Sequence, residues 1–213
     1  MVFTELLALV EKEPLFETGF LLVGAQNSGY VRRQLSEWVR LGKLWQLRRG
    51  LYGLAPPFQK VTPHPFYVAN QMVSGSYVSL QSALAYYGMI PEYVPAVTSV
   101  TSRKSNRWTT PFGEMIFRTL RPNLLFGYKR VLVASEQEVF IATPEKSLLD
   151  LIYLQPGGDD EDFLRSLRLQ NLSRLNLERF EQMAHQFHKP KLDRAVPVVA
   201  TLAIEERDHY KPL

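Results

Sequence analysis

Ser28-Gly29-Tyr30-Val31-Arg32-Arg33-Gln34-Leu35-Ser36-Glu37-Trp38-Val39-Arg40-Leu41-Gly42-Lys43-Leu44-Trp45-Gln46-Leu47-Arg48-Arg49-Gly50-Leu51-Tyr52-Gly53-Leu54 is the stretch that decides the fold. Val31, Leu35 and Trp38 recur at the spacing of one helical face, with Ser28 placed to cap the helix and Gly42 just past its end. Arg32, Ser36 and Arg40 follow one another by single turns on an exposed face, with Tyr30 and Arg33 beside them. Two short apolar segments, residues 44–47 and 51–54, flank Arg48-Arg49-Gly50. Gly50 supplies the positive φ that a tight hairpin turn needs, which puts both arginines at the tip. A basic helix followed at once by a basic hairpin is the pairing with which a winged helix-turn-helix grips a duplex.

Charge supports that reading locally rather than globally. The chain of 213 residues has a formal net charge of +4 and a pI near 9.3. Residues 28–53 hold six Lys/Arg (Arg32, Arg33, Arg40, Lys43, Arg48, Arg49) against Glu37, so the remainder is close to neutral. A local excess of this kind steers a polyanion. Cysteine is absent, which excludes disulfides, thiolate metal clusters and a thiol nucleophile, and suits a reducing compartment. The first residues lack the basic start of a signal peptide, and no apolar run approaches the roughly 20 residues of a membrane span. A cytoplasmic protein without membrane partners is expected.

The order of elements completes the N-terminal unit. Residues 4–12 read as an amphipathic helix carrying Leu6, Leu7 and Val10, residues 18–23 as a second helix, and residues 24–27 as the turn before the basic helix. Residues 55–65 carry four prolines and read as a stiff linker. The predicted organisation is a winged helix-turn-helix over 1–55, a Pro-rich linker over 56–65 and a larger domain over 66–213. The competing reading of the first unit is a three-helix module that docks a protein through its arginines.

Beyond the linker the pattern predicts an α+β fold, a mixed α/β domain ending in helices. Residues 66–73 suit a helix, and Ser79 caps another through Ala83, Leu84 and Tyr87 to Gly88. The period then falls to two over residues 94–101, with further strands expected at 114–120, 130–134 and 139–142. Thr143-Pro144-Glu145 starts a helix with a cap, a proline at its first position and an acid in its first turn; Pro156-Gly157-Gly158 ends it. From Asp159 onward the chain reads as helical, and Phe163, Leu164 and Leu167 require cover.

Several blocks in this order resemble the AbiEi family of antitoxins from type IV toxin–antitoxin systems. Arg48-Arg49-Gly50-Leu51-Tyr52 closes the first unit; Tyr77-Val78-Ser79-Leu80-Gln81-Ser82-Ala83-Leu84 and Gly88-Met89-Ile90-Pro91-Glu92 follow. Val100-Thr101-Ser102-Arg103-Lys104, Thr110-Pro111-Phe112-Gly113 and Ala142-Thr143-Pro144-Glu145-Lys146-Ser147-Leu148-Leu149-Asp150 complete the set. The resemblance spans residues 18–154. It implies repression of the protein's own operon by binding inverted repeats in double-stranded DNA. It also implies a C-terminal domain that counteracts a cognate nucleotidyltransferase-like toxin, a partnership that needs no stable complex.

From the residues themselves, Asn27, Ser28, Tyr30 and Arg33 sit near the start of the basic helix, where base edges are read. Arg32, Ser36 and Arg40 suit phosphates, and Arg48 and Arg49 suit the adjacent backbone or minor groove. A second basic surface is expected from Arg103, Lys104, Arg107, Arg118, Arg121, Lys129 and Arg130, with Glu114 the one acid between residues 99 and 130. Trp38, Trp45 and Leu47 read as core.

Signals for an enzyme are weak. Glu145 and Lys146 are explained by a helix start, and Asp159 to Asp162 by the dipole of the helix that follows. His185 and His188 lie three apart near Glu181, but no further His or Cys stands nearby. No nucleotide-binding fingerprint is present, so no catalytic residue, metal or cofactor is expected. The alternatives are a ligand-responsive repressor, with Tyr86, Tyr87, Trp108 and Phe112 lining a pocket, and a nuclease, whose usual acidic pattern is missing.

Overall fold

The computed structural model describes residues 1–23 and 27–209. Gly24, Ala25 and Gln26, where the sequence places a turn, and residues 210–213 at the end of the last helix lie outside the described residues.

The first unit is built from α1 (Phe3–Val10), β1 (Phe16–Glu17), α2 (Thr18–Leu22), α3 (Ser28–Arg40), β2 (Leu44–Arg48) and β3 (Leu51–Leu54). Its core gathers Leu6 and Val10 from α1, Phe16, Leu21, Val31, Leu35 and Trp38, and Leu44, Tyr52 and Leu54 from the hairpin. The three strands form one small antiparallel sheet in the order β1-β3-β2.

The hairpin register explains how this unit meets the rest of the chain. Leu44 pairs with Leu54 and Gln46 with Tyr52, but Arg48 pairs with Leu51, so a bulge falls between Gln46 and Arg48. Leu44, Tyr52 and Leu54 face the N-terminal helices. Leu47 and Leu51, with Trp45 beside them, face the opposite way and join the larger core. All four residues of β3 are buried. Gly53 leaves the space Leu15 fills, since a Cβ there would stand 3.0 Å from Leu15 Cδ2. The hairpin is thus a seam between two cores.

The proline-rich segment is held at both ends. Phe58 packs edge-on against Phe3 at 4.9 Å, and Lys60 pairs with Glu11. Gln137 donates to Thr62 O at 2.9 Å and accepts from His64 N at 2.8 Å. A chain fastened to α1 and to the large sheet is a strap, where the prolines alone suggest a free-standing linker.

The rest is an α+β layer structure. After α4 (Pro65–Met72) come β4 (Tyr77–Val78), α5 (Leu80–Tyr86), β5 (Val97–Thr101), β6 (Asn106–Thr110), β7 (Gly113–Thr119), β8 (Tyr128–Val133) and β9 (Gln137–Ala142). They form a mixed six-stranded sheet, β6-β7-β5-β4-β9-β8, with β5–β7 and β4–β9 parallel and the other pairs antiparallel. Four further helices close the chain: α6 (Pro144–Leu154), α7 (Glu161–Ser166), α8 (Leu177–Gln186) and α9 (Pro190–His209). Strand β5 starts at Val97, three residues later than the alternation suggests, because Pro95 has no N–H to give a ladder. The unforeseen β6 pairs along the outside of β7. Among the described residues, no helix is long and apolar enough to cross a membrane.

Candidate nucleic-acid interface

Helix α3 is anchored from beneath and capped at both ends. The N-cap is Asn27 rather than Ser28: its side-chain oxygen accepts from Tyr30 N at 3.0 Å, and Ser28 is the first helical residue. At the other end Gly42 adopts φ +69°, Gly42 N donates to Val39 O at 3.0 Å and Lys43 N donates to Trp38 O at 2.9 Å. These two bonds are the Schellman pattern, and the left-handed residue it requires is glycine. Val31, Leu35 and Trp38 are buried on the inner face.

The outer face carries Ser28, Tyr30, Arg32, Arg33, Ser36 and Arg40, all exposed. Their local partners differ. Tyr30 Oη accepts from Gln34 Nε2 at 3.0 Å, and Ser36 Oγ donates to Arg32 O at 3.0 Å. Arg40 pairs with Glu37 at 2.5 Å. The Arg40 hydrogen bond holds the Glu37 carboxyl below the usual carboxylate range, and the same bond raises Arg40. Arg32 and Arg33 make no ion pair with any described residue, so they are the unneutralised charge of this face.

The hairpin turn supplies less than its sequence suggests. Arg48 Nη2 donates to Glu17 Oε1 at 2.6 Å and to Gln71 O in α4 at 3.2 Å, and the side chain is 29% exposed. Gly50 takes φ +85°, and its carbonyl accepts from Thr18 N at 2.8 Å. The tip is therefore fastened to α2 on one side and α4 on the other. Arg49 stays exposed and without an ion pair to a described residue. One arginine is free at the turn, where the sequence alone offers two.

The second basic surface is divided by the strand order. Arg107 lies on β6 and Lys129 and Arg130 on β8, the two opposite edges of the sheet. Five strand spacings separate them, about 24 Å. Arg107 is matched by Glu114 and Arg130 by Glu138 on neighbouring strands. Lys129 stands over the Tyr87 ring at 5.6 Å. Arg103, Lys104 and Arg121 are exposed beyond the strand ends, while Arg118 is half-buried and donates to Leu154 O at 3.3 Å. Strand order separates Lys129 and Arg130 on β8 from the basic residues on and beside β5, β6 and β7.

The four aromatics expected to line a pocket do so only in part. Tyr86 and Phe112 line one cavity. Tyr87 is buried, donating to Ala142 O at 2.9 Å, and burial pushes its hydroxyl up to about 12. Trp108 packs edge-on against Phe117 at 5.3 Å. Asp160 caps α7 and Asp159 pairs with Arg194, which accounts for two of the four consecutive acids.

One constellation escaped the sequence reading. Lys146 and Asp150, one turn apart on α6, are paired with both side chains 0% exposed. Tyr77 and Ser79 donate to Asp150 Oδ2 at 3.0 and 2.8 Å, and Lys146 donates to Tyr77 Oη at 2.9 Å. Lys146 also faces the Phe126 and Phe187 rings at 5.1 and 5.0 Å. Burial lowers Lys146 and raises Asp150, and it pushes the Tyr77 hydroxyl up as well. The available signal was that apolar residues surround these two on every side of α6, whose residues 145–152 are all buried.

The fold has a solved counterpart. The chain is similar to the crystal structure of the Rv2827c protein from Mycobacterium tuberculosis, with a TM-score of 0.53 at 13% identity over 99% of this chain and 82% of that one. At that identity the likeness concerns fold alone. No protein-family model and no curated protein matches the chain.

Proposed function

We propose that residues 1–55 act as a winged helix-turn-helix that binds duplex DNA through α3. The observation that carries this reading is the outer face of α3, where Arg32 and Arg33 stand exposed, without an ion pair to a described residue, opposite the buried Val31, Leu35 and Trp38. An α-helix with its side chains is about 10–12 Å across and the major groove is about 12 Å wide, so the 13-residue α3 suits the groove. The succession of helix, short strand, two helices and hairpin supports the same reading. Arg49 adds a phosphate contact beside the helix; Arg48 serves the hairpin's attachment instead.

On this reading the chain is a repressor of its own operon of the AbiEi type, supported by the ordered blocks between residues 18 and 154. Its C-terminal domain then counteracts a nucleotidyltransferase-like toxin. A gel-shift titration on the DNA upstream of the gene, with unrelated duplex as competitor, tests the first half. Competitor-resistant binding weakened by Arg32→Ala/Arg33→Ala is expected; equal binding to both duplexes would count against an operator. Growth rescue on co-expression with a neighbouring nucleotidyltransferase gene tests the second half, and no rescue by the native chain would remove the antitoxin role.

A further inference from the structure

The face of the large sheet turned toward α5 and α6 is incompletely covered at β7. Thr98 on β5 is tied to α5 through Ser79 O at 2.8 Å and Ser82 Oγ at 3.0 Å, which fixes this as the helix-facing side. Ile116 pairs with Thr98, and Arg118 with Val100, so both point the same way, yet both are only half-buried. Helix α6 ends at Leu154, whose carbonyl meets Arg118, and residues 92–95 contribute to the lining. The result is a cavity of about 530 Å³ walled by Leu80, Ile90, Ile116, Leu151, Leu154 and Leu167. That volume lies within the range of small-molecule sites, about 300–1,000 Å³.

One charge belongs to this cavity. Arg118 makes no ion pair with a described residue, and its guanidinium gives a single hydrogen bond, to Leu154 O at the end of α6. Its other donors have no described protein partner. An inward-pointing cation on an edge strand is explained as a guard against aggregation, but β7 lies between β5 and β6. Among the lining residues the acid is Glu92, and Arg168 clasps its carboxylate across the mouth, so it does not neutralise Arg118. Leu80 in the wall has φ 54°. Left-handed backbone costs an L-residue about 1–2 kcal/mol, and such strain gathers at ligand clamps.

We infer that this cavity binds a medium-chain aliphatic carboxylate, its head on the Arg118 guanidinium and its chain among the leucine and isoleucine side chains. The planar fork of arginine matches a carboxylate, and charge-assisted bonds in an apolar surround are the strong ones. Gln81, Thr98, Gln155 and Ser166 interrupt the aliphatic walls, and Tyr93, the aromatic ring in the lining, is 88% exposed, so the site favours a flexible chain over a stacked ring.

Isothermal titration calorimetry of the full chain with octanoate, and with octan-1-ol as the uncharged equivalent, tests this. Saturable one-to-one octanoate binding is expected, with octan-1-ol weaker by about tenfold or more, the contribution of a charged hydrogen bond. Arg118→Met should bring octanoate down to the octan-1-ol level, and Ile116→Trp, which fills the floor, should abolish both. Absence of saturable octanoate binding to the native chain, or equal affinity for the two probes, would overturn the assignment without need of any variant. Octanoate binding at native affinity in folded Arg118→Met, or any saturable octanoate binding in folded Ile116→Trp, would overturn it too.

Discussion

The most consequential single residues are charged groups whose surroundings give them unlike roles. Lys146 and Asp150 are fully buried, so removing one strands the other. Lys146→Met should destabilise the fold by about 3–5 kcal/mol in urea titrations, whereas Lys146→Met/Asp150→Leu should cost less than the sum of its parts. Additive losses would mean that the two side chains are not coupled. Arg48, tied to Glu17 and Gln71, should cost about 1 kcal/mol on truncation to alanine, while exposed Arg49→Ala should stay within about 0.5 kcal/mol. His64 gives a pH dependence. Its Nδ1 accepts from Phe66 N at 3.1 Å at the start of α4, and burial holds its pKa below the usual imidazole value. The unfolded chain therefore takes up the proton more readily. The contribution is fully present above about pH 6.5 and is lost as pH falls through the lower folded value. His64→Asn, a cap that does not titrate, should flatten the fall in stability between pH 7.5 and 5.5.

At the scale of elements, local chemistry decides more than charge does. The C-terminal end of α3 depends on Gly42 at φ +69°, so Gly42→Ala should cost about 1–2 kcal/mol in thermal unfolding; an unchanged melting point would mean that the helix end relaxes freely. Such features were legible because capping and periodicity are encoded within a few residues: α2, α4, α6 and the hairpin fall where their signals lie. The bulge at Leu47, the short β1 and β4 and the strap over residues 55–65 were not legible, because each is set by a distant partner. Arg48 shows the same division. Its place at the turn follows from Gly50, but its partners Glu17 and Gln71 come from elements the local pattern does not connect. The basic residues of β8 looked contiguous with those of β6 and β7 only because strand order is a non-local property.

For the whole molecule, the hairpin buried on both faces joins the N-terminal core to the large sheet, and α3 turns its arginine face outward from that joint. The cavity at Arg118 lies on the helix-covered side of the sheet. The central claim is that α3 is a DNA-reading helix whose electrostatic grip comes from Arg32 and Arg33, helped by Arg49. Affinity for duplex DNA from upstream of the gene, measured across a salt series, tests it most directly. Three phosphate contacts predict a slope of log K against log salt of about −2.7, and Arg32→Ala/Arg33→Ala should reduce its magnitude by about 1.8. A native protein with no salt-dependent binding, or a folded double variant with unchanged slope and affinity, would contradict the account.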